Sequence, residues 1–211
     1  GYKDTSRKLI VVNAVPNAQF TASSVCAKTN VLFNNSTSIL SQESISYKWY
    51  FGDGDTSLTS APSHAYDTGG TNGVILIATS DSGCVDSATF NLTIHPNPIV
   101  DFDSALARAC VGDSSNLTSM ISIASGSIAS RWWRIQGDPS QYATSQVKKP
   151  LGNAGAYTVT LAAQSNLGCK DSISKQVHVD LLPNIALADS QRTCGSTLNL
   201  DAGISGATYA W

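Results

Sequence analysis

Five cysteines, three histidines and one Gly-Asp-Gly-Asp run hold most of the chemical scope of this 211-residue chain. Asp53 and Asp55 alternate with Gly52 and Gly54, so two carboxylates project from a turn that glycine allows to close. Carboxylates placed this way could begin a Ca²⁺ site, which takes about six to eight oxygen ligands. The same residue types also serve plain turn chemistry; that reading is preferred, and no cofactor is required. No two of His64, His95 and His178 stand at metal-ligand spacing and no C-x-x-C occurs, so no metal centre is assigned beyond the candidate pair Asp53 and Asp55. His178 follows His95 at close to the interval that separates successive cysteines of the repeat described below, which reads as one structural position repeated and not as a general base. G-x-S-x-G, H-E-x-x-H, the phosphate-binding loop and the dinucleotide fingerprint are all missing. Nucleophilic, zinc-hydrolytic and nucleotide chemistry are left without a seat, and a non-enzymatic protein with no catalytic residues is expected.

The cysteines carry a different message. Cys26, Cys110 and Cys194 recur at one constant interval. Each of the first two is followed at the same distance by a tryptophan, Trp49 and Trp133, and then by a Gly-Cys-x-Asp-Ser run, at Gly83 to Ser87 and Gly168 to Ser172. Pairing Cys26 with Cys84 and Cys110 with Cys169 would close loops of roughly 60 residues, each stabilising its repeat by about 4 kcal/mol through restriction of the unfolded chain. Such bridges imply an oxidising compartment. Cys194 would then be unpaired within this sequence, its partner lying beyond Trp211.

These landmarks require elements to hold them. Ile45, Tyr47, Trp49 and Phe51 alternate with Ser46, Lys48 and Tyr50, and Tyr157, Val159 and Leu161 alternate with Thr158 and Thr160; period-2 patterns of this kind predict half-buried strands. No window of helical length shows a helical period with caps. Short strands with frequent turn signals in units of about 85 residues predict an all-β fold of tandem two-sheet sandwiches in an extended array. A proline followed by an extended apolar segment opens each unit, at Pro16, Pro98 and Pro183. The expected organisation is the last strand of a preceding module over 1–15, a sandwich over 16–97, a second and more degenerate one over 98–182, and the truncated start of a further module over 183–211.

Composition narrows the partners. Charged residues make up 13% of the chain and the formal net charge is −2, so there is no field to attract nucleic acid. The longest apolar stretches, such as Val74 to Ala78, are far short of the roughly 20 residues that cross a bilayer as a helix, and no direct membrane insertion is expected. Trp49, Trp133 and Trp211 fall at the core register, which leaves Trp132 as the candidate surface-contact residue.

Trp49-Tyr50-Phe51-Gly52-Asp53-Gly54 closely resembles the W-x-F-G-D-G signature of PKD domains, and Pro62-Ser63-His64-Ala65-Tyr66 resembles the P-x-H-x-Y segment that follows it. In the second unit Trp133-Arg134-Ile135-Gln136-Gly137-Asp138 keeps the apolar pair without the glycine spacing, and Gly155-Ala156-Tyr157-Thr158-Val159 is similar to the G-x-Y-x-V strand of that family. Leu198 to Gly203 and Gly206 to Trp211 look like an Ig-like repeat of giant Bacteroidota surface proteins, which include type IX-secreted, gliding-motility-associated adhesins. The resemblance implies an extracellular position at a bacterial cell surface and a stalk that extends a binding region. It implies as partners the neighbouring modules of the same chain, together with surface polysaccharide or a secretion or motility machine. The alternative it carries is a spacer or carbohydrate-binding accessory of a secreted polysaccharidase or protease. Ser87, Ser104 and Ser172 stand in Asp-Ser-apolar runs that resemble the O-glycosylation acceptor of exported Bacteroidota proteins; the plain alternative is that Asp-Ser simply starts a strand.

Overall fold

The computed structural model describes residues 7–8, 12–40, 43–104 and 108–181, without the side chains of 104, 108 and 109. The expectations for Cys194, for Trp211 and for a further module over 183–211 lie outside these residues, as do those for most of 1–15. Every element described is a strand. The first repeat holds β1 (Phe20–Thr21), β2 (Asn30–Leu32), β3 (Asn34–Asn35), β4 (Ile45–Tyr50), β5 (Thr56–Ser57), β6 (Ser63–Ala65), β7 (Gly70–Ser80) and β8 (Val85–Ile94). The second holds β9 (Ile99–Ser104), β10 (Arg108–Cys110), β11 (Ser114–Ser122), β12 (Ile128–Ile135), β13 (Gln146–Pro150), β14 (Gly155–Ser165) and β15 (Lys170–Asp180). The fold is all-β and Ig-like, as the alternating pattern predicts.

The chain forms two compact units. One comprises the residues up to Val100 with Ile121–Arg131 and Ala162–Ser172; the other comprises Asp101–Met120, Trp132–Leu161 and the residues from Ile173. In the first unit β5-β4-β7-β8 form a four-stranded sheet, and β2-β6 and β1-β3 form two short pairs. The register explains the core. Trp49 lies opposite Leu76 and Val74 opposite Phe90, so one face of the sheet presents Trp49, Val74, Leu76, Leu92 and Ile94 to Val31, Phe33, Phe51 and Tyr66, all buried. Phe20 stands edge-on to Trp49 at 5.0 Å between ring centroids, a favoured aromatic geometry. The tryptophan's one polar atom is satisfied, since Trp49 Nε1 donates to the Thr59 carbonyl at 3.0 Å.

The second repeat uses the same plan. Its four-stranded sheet runs β10-β15-β14-β12 and its three-stranded sheet β13-β11-β9. Trp133 is buried with Phe102, Leu117, Ile135, Val159 and Leu161, and its Nε1 donates to the Thr144 carbonyl at 2.9 Å. Phe102 meets Trp133 edge-on at 5.2 Å, as Phe20 meets Trp49.

Candidate functional site

The Gly-Asp turn after β4 is where the first repeat gathers its polar side chains. Gly52 and Gly54 take φ of 88° and 106°, a region in which a side chain is strained. A Cβ on Gly52 would also fall 2.9 Å from the backbone of Gly73, so this position needs glycine twice over. The turn aims Asp53 at the neighbouring sheet. There Asp53 Oδ2 meets His64 Nε2 at 2.6 Å, while its Oδ1 accepts the Asp55 N–H at 3.1 Å. His64 sits on β6 opposite Val31. Its ring stacks on Phe51 at 4.3 Å and 7°, and Tyr66 closes the group by donating from its hydroxyl to the Phe51 carbonyl at 2.9 Å. Burial alone would push the Asp53 carboxyl up; the His64 hydrogen bond, the Asp55 N–H and the charge of a protonated His64 outweigh it and hold Asp53 below the ordinary value. Burial, followed by the Asp53 charge, pushes the Tyr66 hydroxyl well up.

Asp53, Asp55 and His64 bring three ligand atoms within 4.8 Å of one another. Sequence reasoning named the two carboxylates as ligand candidates and did not group the histidine with them. The second repeat supplies an internal comparison. Asp138 follows Gly137, which has φ of 79°, and its Oδ1 accepts the Ser140 N–H at 3.0 Å. Lys149 on β13, opposite Ser115, donates to Asp138 Oδ2 and to the Tyr142 hydroxyl. Lys149 therefore stands where His64 stands, and Ser140 where Asp55 stands. An ammonium offers no lone pair to a metal, so what recurs in both repeats is a carboxylate on the turn held by a side-chain nitrogen from the facing sheet. We read the arrangement as a clamp that fixes the turn between the two sheets. The Lys149 hydrogen bond, then the Tyr142 hydroxyl and the Ser140 N–H, hold Asp138 far below the usual carboxylate range, and the same contacts raise Lys149.

The glycine spacing differs between repeats by one inserted residue. Phe51 and Ile135 are both buried and stand one cysteine interval apart, whereas Asp138 lies one residue further than that from Asp53. The extra residue is Gln136, which is exposed; its N–H donates to the Thr158 carbonyl at 2.9 Å and its Oε1 accepts the Thr158 N–H at 3.1 Å. Thr158 is the counterpart of Gly73, so two hydrogen bonds occupy the place where Gly52 and Gly73 touch in the first repeat.

This insertion corrects the histidine equivalence. Cys26 bridges in parallel to His95, and Cys110 to Asp180. The counterpart of His95 is therefore Asp180, and His178, opposite Arg108, is exposed two residues earlier. The near-equal interval misleads because it is already one residue short of the cysteine interval, and the insertion at Gln136 adds one more.

The cysteine pairing also differs from the expected one. Cys26 is bonded to Cys169, with Cα atoms 5.5 Å apart, and Cys84 and Cys110 are thiols. The topology shows why neither Cys26–Cys84 nor Cys110–Cys169 forms. Cys26 lies beside His95 at the end of β8, while Cys84 precedes the first residue of β8. The length of β8, Val85–Ile94, at about 3.3 Å per residue, puts roughly 30 Å between them, far beyond the reach of a disulfide. Cys110 and Cys169 are separated in the same way by the length of β15.

Of the remaining candidates, Ser87 on β8 and Ser172 on β15 are exposed counterparts; Asp86 beside the first accepts the Ala18 N–H at 2.8 Å. Ser104 ends β9, its side chain outside the described residues. Trp132 is half-buried on the strand face opposite Trp133.

Residues 13–94 match the family model described as PKD domain. The match takes in the β4 tryptophan, the Gly-Asp turn and the His64 segment. The PKD1 domain of Vibrio anguillarum Epp is 28% identical over 39% of this chain and 96% of its own, with a TM-score of 0.36. The PKD1 domain of the Vibrio cholerae metalloprotease PrtV is also 28% identical, over 39% and 98%, with a TM-score of 0.33. Carbohydrate-binding modules of the β-sandwich superfamily are 16% identical over 80% of this chain and 86% of theirs, at a TM-score of 0.39.

Proposed function

We propose that the chain is a non-catalytic repeat segment of a large bacterial cell-surface adhesin or stalk, with 16–97 and 98–182 as successive PKD-like modules that extend or present a binding region. The supporting observation is what recurs. The buried tryptophan with its carbonyl partner and the clamped Asp turn are kept from one repeat to the next, and both maintain the sandwich itself. A spacer needs that rigidity repeated. The PKD match over 13–94 supports an accessory module, and the exposed Ser87 and Ser172 suit O-glycosylation of an exported chain.

The test is made in the native host. Residues 16–182 are deleted in frame, and attachment and gliding on polysaccharide-coated glass are scored beside antibody labelling of intact cells. Loss of attachment with the remainder of the protein still labelled at the surface is the expected result. Full attachment and gliding, with loss of a secreted polysaccharidase or protease activity instead, would overturn the stalk reading in favour of an accessory to an enzyme.

A further inference from the structure

Among the described residues Cys84 and Cys110 are thiols, yet each repeats the setting of a cysteine that is bonded. Cys110 is the counterpart of Cys26: the Val111 N–H donates to the Asp180 carbonyl at 2.9 Å, as Ala27 N–H does to the His95 carbonyl at 2.8 Å. Cys84 is the counterpart of Cys169. The Cys84 N–H donates to Ser80 Oγ at 3.2 Å and the Cys169 N–H to Ser165 Oγ at 3.1 Å, and the preceding glycines take φ of 84° and 85°. One structure thus shows both halves of a staple bonded and both halves waiting, in matching backbone frames. Neither thiol can reach a cysteine at the other end of its own repeat, because a strand of about 30 Å intervenes.

We propose that Cys84 and Cys110 are half-sites of a staple that joins successive repeats of one polypeptide. Cys26–Cys169 spans 143 residues, from the first cysteine of one repeat to the second cysteine of the next. By the same rule Cys110 bonds a second-type cysteine of the repeat that follows, and Cys84 a first-type cysteine of the repeat before it, each across a similar length of chain. The proposal rests on the array reading only for the existence of those adjoining repeats. Each bond forms by thiol–disulfide exchange with a dithiol–disulfide oxidase of the oxidising compartment. One thiolate attacks the oxidase disulfide, the second displaces the oxidase from the mixed disulfide, and the oxidase leaves as a dithiol that has taken up the two electrons and the two protons of the cysteine thiols.

The experiment is non-reducing peptide mapping after alkylation of free thiols, on the 211-residue chain folded under oxidising conditions and on the full protein from its host. In the chain, a Cys26–Cys169 peptide with Cys84 and Cys110 fully alkylated is expected. In the full protein, both should lose the label and appear joined to peptides from outside this sequence. Cys84 or Cys110 joined to any cysteine of this chain in either sample, or both alkylated in the full protein, would overturn the staple. A failure of the attachment experiment would leave this map unchanged, so the two readings fail separately.

Discussion

At the turn before β13 three donors converge on one carboxylate, and the direction of each shift fixes how stability must follow pH. Asp138 is held well below its unfolded value, close to about 3.9. Its contribution is therefore complete above that value and is lost as pH falls through the lower, folded one. Lys149 is raised by the same contact, so its contribution is complete below about 10.4 and is lost as pH rises through the higher, folded value. The pair should leave the stability of the second unit flat between about pH 5 and about pH 9.5, with a decline on either side. Lys149→Met keeps the Tyr142 and Ser140 donors but removes the largest cause. Urea midpoints measured from about pH 2 to about pH 6 should fall less steeply in the variant than in the parent. Parallel slopes would show that Lys149 does not set the Asp138 carboxyl.

At the scale of the element, β4 and β12 do the same work, each burying one tryptophan against a facing aromatic ring. Trp49 and Trp133 are fully buried, and each indole N–H meets a carbonyl in the segment after its turn. Truncation removes the ring, leaves a cavity and strands that carbonyl, so Trp49→Ala should destabilise the first unit by about 3–5 kcal/mol and Trp133→Ala the second by a similar amount. Far-UV circular dichroism through a urea titration reads this as one early transition in each variant; a loss below about 1 kcal/mol would contradict the central place given to the rings. The strands were legible in the sequence because Ile45, Tyr47, Trp49 and Phe51 obey a strict period of two. His64 was not legible as the clamp partner, since its distance in sequence from Asp53 carries no signal until β6 is paired with β2. Lys149 was further hidden by the insertion at Gln136.

For the whole molecule, the spacing of the cysteines revealed the repeat and misdirected the pairing. The loops that Cys26–Cys84 and Cys110–Cys169 would close looked like self-contained clips because spacing says nothing about which end of a strand a residue occupies. Once β8 and β15 are extended, each repeat has one cysteine at either end, and the bridge must leave the repeat. The Cys26–Cys169 bond encloses 143 residues, and a loop of that size restricts the unfolded chain enough to contribute about 2–5 kcal/mol. Cys26→Ser/Cys169→Ser should therefore unfold at lower urea than the oxidised parent, and a reductant should lower the parent's midpoint while leaving that variant's in place. The pairing is decided by the complementary variant. Cys84→Ser/Cys110→Ser keeps the observed bridge and should respond to reductant as the parent does. Under the intramodule pairs it would lose both bridges and with them all sensitivity to reductant, so an unresponsive Cys84→Ser/Cys110→Ser protein would restore Cys26–Cys84 and Cys110–Cys169.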